Sequence, residues 1–383
     1  MAAAESPSDN ERLHVLWLIK GLGPGGAEHH LLSLAQAGDR SRFEFSVAYL
    51  IDWKDHLVGP LRDVGVNIYC LGGGRLADLR WAWRLRQLLR THQVDVLHVH
   101  SPLVAAVARV VARTVRPAPP TISTEHNVWA ARRFATRWVN AATYCLDRTH
   151  IAVSEQVLNS LTRSMQRRTQ VIGHGVDVDA IVACRDQREE ARAELGLRPG
   201  QVVVCTVANL RWQKGYPDLL EAARRVIDDG CDVVFLAVGQ GPLEYELLAR
   251  RAALGLEKQF RLLGHRTDTY RILAASDIFV LASLHEGYPI VVLEALAAGL
   301  PVVATDVGAV PTTVTDGVEG LVVSTADPTQ LASSLLRLVH DPELRRRMGE
   351  AAALRGAEFN ITPVISRTQQ VYSNIGRRSQ ARQ

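Results

Sequence analysis

Two carboxylates, Glu286 and Glu294, stand eight positions apart in HEGYPIVVLEALAAGLPVVATDVG, His285 to Gly308. The preceding SDIFVLASL is a short apolar, β-branched run that reads as a buried parallel strand, so Glu286 and Gly287 fall at its C-terminal end. Pro289 suits a first helical turn, and the apolar run after it continues the helix until Gly299 caps it. The backbone amides of Gly287, Tyr288 and Ile290 then form an open helix N-terminus, a ready anion site. Eight helical residues rise about 12 Å, so the two acids reach opposite ends of an elongated ligand. Acceptors at both ends with amides between them suit a nucleotide diphospho-sugar. A half-exposed helix with an ordinary strand-end acid would leave the same letters.

Other candidates sit at the ends of other strands. Arg211 and Lys214 follow VVVCTVANL and would offer two cations to a diphosphate, since charge-assisted bonds are about twice as strong as neutral ones. Gly25 and Gly26, in KGLGPGGAE, let a backbone approach a ligand closely, although a plain strand-to-helix turn reads the same. The loop is neither the usual dinucleotide fingerprint nor a phosphate loop ending in Lys-Ser/Thr. His98 and His100 share one face of VDVLHVH, and with His126 of STEHN they raise a metal site. No carboxylate with ligand spacing accompanies them, so His100 and His126 read better as residues at strand ends, where open α/β sheets bind ligands. Asp177-Val178-Asp179 has the form of a metal-binding Asp-x-Asp but precedes a polar connector and reads as a turn.

The elements that must position these residues alternate strand and helix twice over. The first run extends from Leu13 to about residue 182; the second starts afresh after a polar connector and continues to about residue 359. The expected fold is α/β, two Rossmann-like doubly wound domains. A last helix at about 360–376 precedes a solvated, disordered tail at 377–383.

Composition narrows the function classes. No apolar run approaches the length of a spanning helix, and the acidic start MAAAESPSDNE does not read as a signal peptide, which implies a cytoplasmic protein. The five cysteines show no paired spacing and read as buried reduced thiols, not as disulfide or zinc partners. Between Arg75 and Arg168 fifteen arginines face five acids, whereas residues 181–383 hold 23 basic and 24 acidic residues. A basic first half could attract a diphosphate, nucleic acid or an anionic membrane, but no zinc-finger, single-strand-binding or recognition-helix pattern supports nucleic acid.

With these residues in view, the sequence resembles the retaining glycosyltransferases of family four, which have the GT-B fold. The resemblance runs through GLGPGGAE, DVLHVHSP, STEHN, IAVSE, HGVD, NLRWQKG, VGQGP, LLGHR, the two-glutamate segment and the later GVEGLVV. It implies two domains facing a central cleft, the acceptor on the first and the donor mainly on the second, with the last helix crossing back to the first. It further implies that Glu294 accepts from ribose hydroxyls, Glu286 from the transferred sugar, and that Arg211, Lys214 and the amides from Gly287 to Ile290 hold the diphosphate. Gly25 and Gly26 would close over the phosphates; His126 would lie beside the anomeric carbon, and His100 on the acceptor side. Two departures stand out: the family's arginine is displaced to Arg211, and its acid after Pro311 is replaced by Thr312. The implied reaction is retaining sugar transfer to a glycan or lipid-linked hydroxyl, with no metal and no cofactor. An epimerase of the same fold and a catalytically silent sugar-nucleotide-binding module are the alternatives. A phosphorylase would need a pyridoxal lysine, and Lys20, Lys54, Lys214 and Lys258 are none of them well placed for one.

The helix expected from Leu76 to Arg90 carries a further signal. Trp81, Leu85 and Leu88 share one stripe, the packed face, while Trp83 falls among Arg80, Arg84, Arg86 and Arg90. Tryptophan among arginine heads is the pattern of an interfacial helix on an anionic membrane, here the inner face of the plasma membrane. The plainer reading is a solvated arginine face with Trp83 tucked against a neighbour.

Overall fold

The computed structural model describes residues 12–23, 25–72, 78, 80–129 and 134–380, with side chains to 376. The chain divides into two compact units, one of residues up to His174 with those from Thr362 on, the other Gly175–Ile361. The first crossing from one unit to the other thus lies a few residues before the boundary expected near 182.

The first unit holds a seven-stranded parallel sheet: β1 (Leu13–Ile19), β2 (Phe43–Tyr49), β3 (Asn67–Cys70), β4 (Val96–Val99), β5 (Thr121–Glu125), β6 (Thr149–Ala152) and β7 (Thr169–Val171), in the order β3-β2-β1-β4-β5-β6-β7. The second holds six parallel strands: β8 (Val202–Val207), β9 (Val233–Val238), β10 (Phe260–Gly264), β11 (Ile278–Leu281), β12 (Val302–Thr305) and β13 (Gly320–Val323), in the order β10-β9-β8-β11-β12-β13. The central strands are buried along nearly their whole length, which explains their continuous apolar runs: a parallel sheet is covered by helices on both faces. In each sheet the chain winds outward from the first strand and then returns to its other side, beside β1 in one sheet and β8 in the other. That reversal parts the loops at the strands' C-terminal ends and opens a crevice for ligand.

Helix positions follow the apolar spacing. In the Arg80–Thr91 helix Trp81, Leu85, Leu88 and Leu89 are buried, each full burial contributing about 1.5–3 kcal/mol. The last helix, Ile361–Gln380, continues beyond the end expected at 376, so the backbone of Arg377–Gln380 is helical and not a disordered tail. From Thr362 it belongs to the first unit. The polar connector expected at about 182–200 is itself helical over Arg188–Glu194, and the turn expected at Asp177–Asp179 opens a helix, Val178–Ala183; Arg188 and Arg192 both pair with Asp277 just before β11. Only Cys205 of the five thiols is buried: Cys70 and Cys145 are exposed, Cys184 and Cys231 intermediate, and all are free. The expectation of buried thiols fails because Cys70 ends the edge strand β3 and Cys145, Cys184 and Cys231 lie in turns and connections outside the strands. Among the described residues no helix is long and apolar enough to cross a membrane.

Candidate functional site

Lys214 and Glu286 come from the loops after β8 and β11, the two strands that flank the chain reversal of the second sheet. Lys214 closes a short turn, Trp212–Lys214, and Gly215 then adopts φ 61°. A β-carbon on Gly215 would lie 1.9 Å from the carbonyl oxygen of Ala282, so only glycine brings this turn against the end of β11. The two loops are also joined by backbone: the amides of Leu284 and His285 donate to the Gln213 carbonyl at 2.7 and 3.3 Å. Lys214 Nζ consequently lies 2.5 Å from Glu286 Oε1. The same oxygen accepts from the buried Ser283 hydroxyl at 2.7 Å, a partner that the sequence reading missed because a lone serine carries no spacing signal. Gly308 has φ 55°, and a β-carbon there would stand 2.5 Å from the Gly287 carbonyl, which accepts from the Ala309 amide at 3.0 Å. The turn before the helix is thus held from both sides.

The helix itself runs Ile290–Ala297 with Pro289 as its N-cap, one residue later than the sequence suggested. The Val292 amide turns back to the Pro289 carbonyl at 3.0 Å, which leaves the amides of Ile290 and Val291 to face an anion. Tyr288 and Ile290 pack beside Val176, Ile181 and Leu293, which fixes the helix entry. Glu294 occupies the middle of the helix, its carboxylate without a hydrogen-bond partner among the described residues, and burial pushes its pKa up to about 7. A desolvated acid with no partner of its own is what ligand hydroxyls would satisfy. The Arg211 side chain is exposed and makes no ion pair or hydrogen bond among the described residues, so its head is not held beside Lys214. Thr312, which stands where the family has an acid, bonds the Ala309 carbonyl of its own turn at 2.9 Å.

The first unit gathers a second set of groups. His100 follows β4 and His126 follows β5, and His100 Nδ1 meets His126 Nε2 at 3.3 Å. His100 is buried; burial first, then the neighbouring His98, His126, His30 and His174, hold its pKa well below the usual imidazole value. His98 serves packing: Trp17 Nε1 donates to the Tyr372 hydroxyl at 3.0 Å, that hydroxyl donates to His98 Nδ1 at 2.6 Å, and His98 Nε2 then donates to Thr124 Oγ1 at 2.7 Å. Both ring nitrogens of His98 are used, and the three histidines do not converge as ligands among the described residues. Gly25 precedes the Gly26–Ala37 helix in extended conformation, with the Glu28 carboxylate close above its α-carbon. Asp177 is a helix N-cap whose Oδ1 accepts from the Ala180 amide at 3.0 Å.

On the Arg80–Thr91 helix Trp83 is 62% exposed, so it is not tucked against a neighbour. Arg80 pairs with Asp78 at 2.6 Å, Arg84 donates to the carbonyls of Leu71 and Gly72, and Arg86 bonds Thr114 Oγ1. Arg90 is exposed, with no such partner among the described residues. The expected start of this helix, residues 76, 77 and 79, lies outside the described residues.

Two family models match, "Glycosyltransferase Family 4" over residues 24–180 and "Glycosyl transferases group 1" over 187–355. The chain is 24% identical over 318 residues to an N-acetyl-alpha-D-glucosaminyl L-malate synthase of Bacillus anthracis, covering 82% of this chain and 83% of that protein. It is 26% identical over 339 residues to a UDP-Gal:alpha-D-GlcNAc-diphosphoundecaprenol alpha-1,3-galactosyltransferase of Escherichia coli, covering 84% and 86%. Among solved structures, HepE of Anabaena in complex with UDP and glucose superposes with a TM-score of 0.81 at 20% identity, over 95% of this chain and 100% of that one. That likeness shows the fold, which is GT-B. With both units matched, the chain belongs to the group 1 glycosyltransferases of family four.

Proposed function

We propose that this glycosyltransferase moves a sugar from a uridine diphospho-sugar to a hydroxyl acceptor with retention at the anomeric carbon and without a metal. The observation that carries the reading is the Lys214–Glu286 pair at the head of the helix on which the unpartnered, proton-retaining Glu294 stands. Lys214 and the first-turn amides would hold the diphosphate, and Arg211, free to move, would reach it on binding. Glu294 would accept from the ribose and Glu286 from the transferred sugar. The departing diphosphate can take the proton of the incoming hydroxyl while Lys214 and the helix end stabilise its developing charge, the preorganised electrostatics that usually dominates catalysis. His126, oriented by His100, would serve the reacting centre from the first unit, as in the family.

The uridine choice is supported by the UDP in the HepE complexes and by the donor in the Escherichia coli relative's name. That relative's diphosphoundecaprenol acceptor also supports a lipid-linked acceptor and, with exposed Trp83, a cytoplasmic protein resting on an anionic membrane. The test is incubation with UDP-sugars and soluble or lipid-linked acceptors after exhaustive chelation. The expected product keeps the donor's anomeric configuration, read from proton couplings. An inverted product, or turnover restored only by Mg²⁺ or Mn²⁺, would overturn the reading. Donor binding with neither product nor free UDP would make the chain a silent binding module.

A further inference from the structure

Three donor atoms of different chemistry converge at the end of the second sheet opposite to Lys214 and Glu286. Asp229 and Cys231 flank the turn between the Tyr216–Asp228 helix and β9, and His340 ends the Pro328–His340 helix. Cys231 Sγ lies 3.7 Å from His340 Nε2 and 3.5 Å from Asp229 Oδ2, and His340 Nε2 lies 2.6 Å from Asp229 Oδ2. We propose that Asp229, Cys231 and His340 form a binding site for a borderline-soft divalent cation, zinc being the reference case.

The argument is geometric. Tetrahedral zinc binds sulfur at about 2.3 Å and imidazole nitrogen or carboxylate oxygen at about 2.0–2.2 Å, which sets sulfur–nitrogen and sulfur–oxygen edges of about 3.6 Å and a nitrogen–oxygen edge of about 3.4 Å. Both sulfur edges already have those lengths. Only the His340–Asp229 edge is contracted, by their hydrogen bond, and it must open by about 0.8 Å. Both side chains are free to do so, being 56% and 41% exposed. Cys231, by contrast, packs against the apolar core of the unit and supplies the fixed corner. His340 stands at a helix C-terminus, where the macrodipole favours a cation. The next residue, Asp341, is already committed to capping the following helix through the Leu344 amide at 2.8 Å.

A thiolate, an imidazole and one carboxylate select zinc or cobalt over magnesium or calcium. On binding, the Cys231 thiol gives its proton to solvent as the sulfur–metal bond forms. The fourth position faces solvent. The ion would tie the turn before β9 to the end of a helix packed beside it, stabilising the unit by RT ln(1 + c/Kd), with c the free-ion concentration.

Titration of the metal-free full-length protein with Co²⁺ tests this. A thiolate-to-cobalt charge-transfer band should saturate at one ion per chain, be displaced by Zn²⁺, and vanish in Cys231→Ser. His340→Gln should weaken binding at least tenfold, while a Cys70→Ser/Cys145→Ser double variant keeps the band. Absence of the band in the wild type, or its survival in Cys231→Ser, would overturn the proposal. Neither readout depends on sugar transfer, so this site can fail while the donor site stands.

Discussion

Lys214 Nζ and Glu286 Oε1 meet at 2.5 Å across 72 residues of chain, with both side chains largely shielded from solvent. The pair neutralises each partner before a donor arrives, and a diphosphate would take over Lys214. Replacing Lys214 by Ala leaves Glu286 with Ser283 alone as its side-chain hydrogen-bond partner among the described residues and would remove the cation proposed to meet the leaving group. Transfer should fall by about 100- to 1,000-fold in kcat, the usual cost of one preorganised donor. Single-turnover kinetics check this; a loss under tenfold would remove Lys214 from the transition state.

Glu286→Gln separates sugar recognition from phosphate recognition. The amide still accepts from Ser283 but loses its charge toward sugar hydroxyls and toward Lys214. Transfer should drop by at least tenfold more than UDP affinity does, because bare UDP lacks the sugar. Calorimetry with UDP beside kinetics with the UDP-sugar reads the difference, and equal losses would contradict the assignment.

If Glu294 holds the donor's ribose, donor binding should depend on pH. Burial raises its pKa to about 7, so between its ordinary value of 4.5 and 7 the folded protein holds a proton that the unfolded chain does not. By linkage, this group's contribution to the stability of the ligand-free protein is fully present below 4.5 and is lost as pH rises through 7. Ribose hydroxyls donate best to the ionised acid, so UDP affinity should rise as pH increases from 6 to 8. In Glu294→Gln that rise should disappear and affinity fall ten- to several-hundredfold, a charged hydrogen bond being worth about 1.5–3 kcal/mol. A pH-independent Kd in the wild type would sink the ribose role.

The two sheets, the strand-end position of Glu286 and the helix N-terminus were legible because period, length and turn residues encode them locally. Cys231 and His340, or Ser283 beside Glu286, were not, because their neighbours are set by how helices pack on the sheet. Arg211 shows the opposite limit: the sequence brings it near Lys214, yet its exposed side chain has no fixed place among the described residues. The helical connector was missed for a third reason. Its polar composition hides Arg188 and Arg192, whose heads are spent on Asp277 just before β11.

Tyr372 gives a stability prediction for the last helix. Its hydroxyl accepts from Trp17 and donates to His98, so Tyr372→Phe orphans two buried groups of β1 and β4 at once. Each unsatisfied buried group costs about 1–3 kcal/mol, so the variant should lose about 2–6 kcal/mol of unfolding free energy with its fold retained. Urea titration measures it. A loss below about 1 kcal/mol would show the network to be dispensable.

The proposed membrane docking would rest on the outer layer of helices in the first unit. The Arg80–Thr91 helix packs beside Pro102–Ala112, which packs beside Phe134–Thr143. These three helices expose Trp83, Val110, and Phe134 with Trp138, the last 63% accessible. Three of the arginines named on the first helix are partly spent on the protein itself, which shifts the burden from charge toward aromatic insertion. Arg90 is left outward, adding up to about 1 kcal/mol near anionic lipid. Co-sedimentation with anionic vesicles at low salt should therefore retain the wild type, weaken only in part as salt screens Arg90, and collapse in a Trp83→Ser/Trp138→Ser double variant. Neutral vesicles should bind less. A wild type that stays in the supernatant at low salt removes the membrane from the reading and leaves a soluble acceptor, because indoles exposed on these helices would then have found no interface to enter.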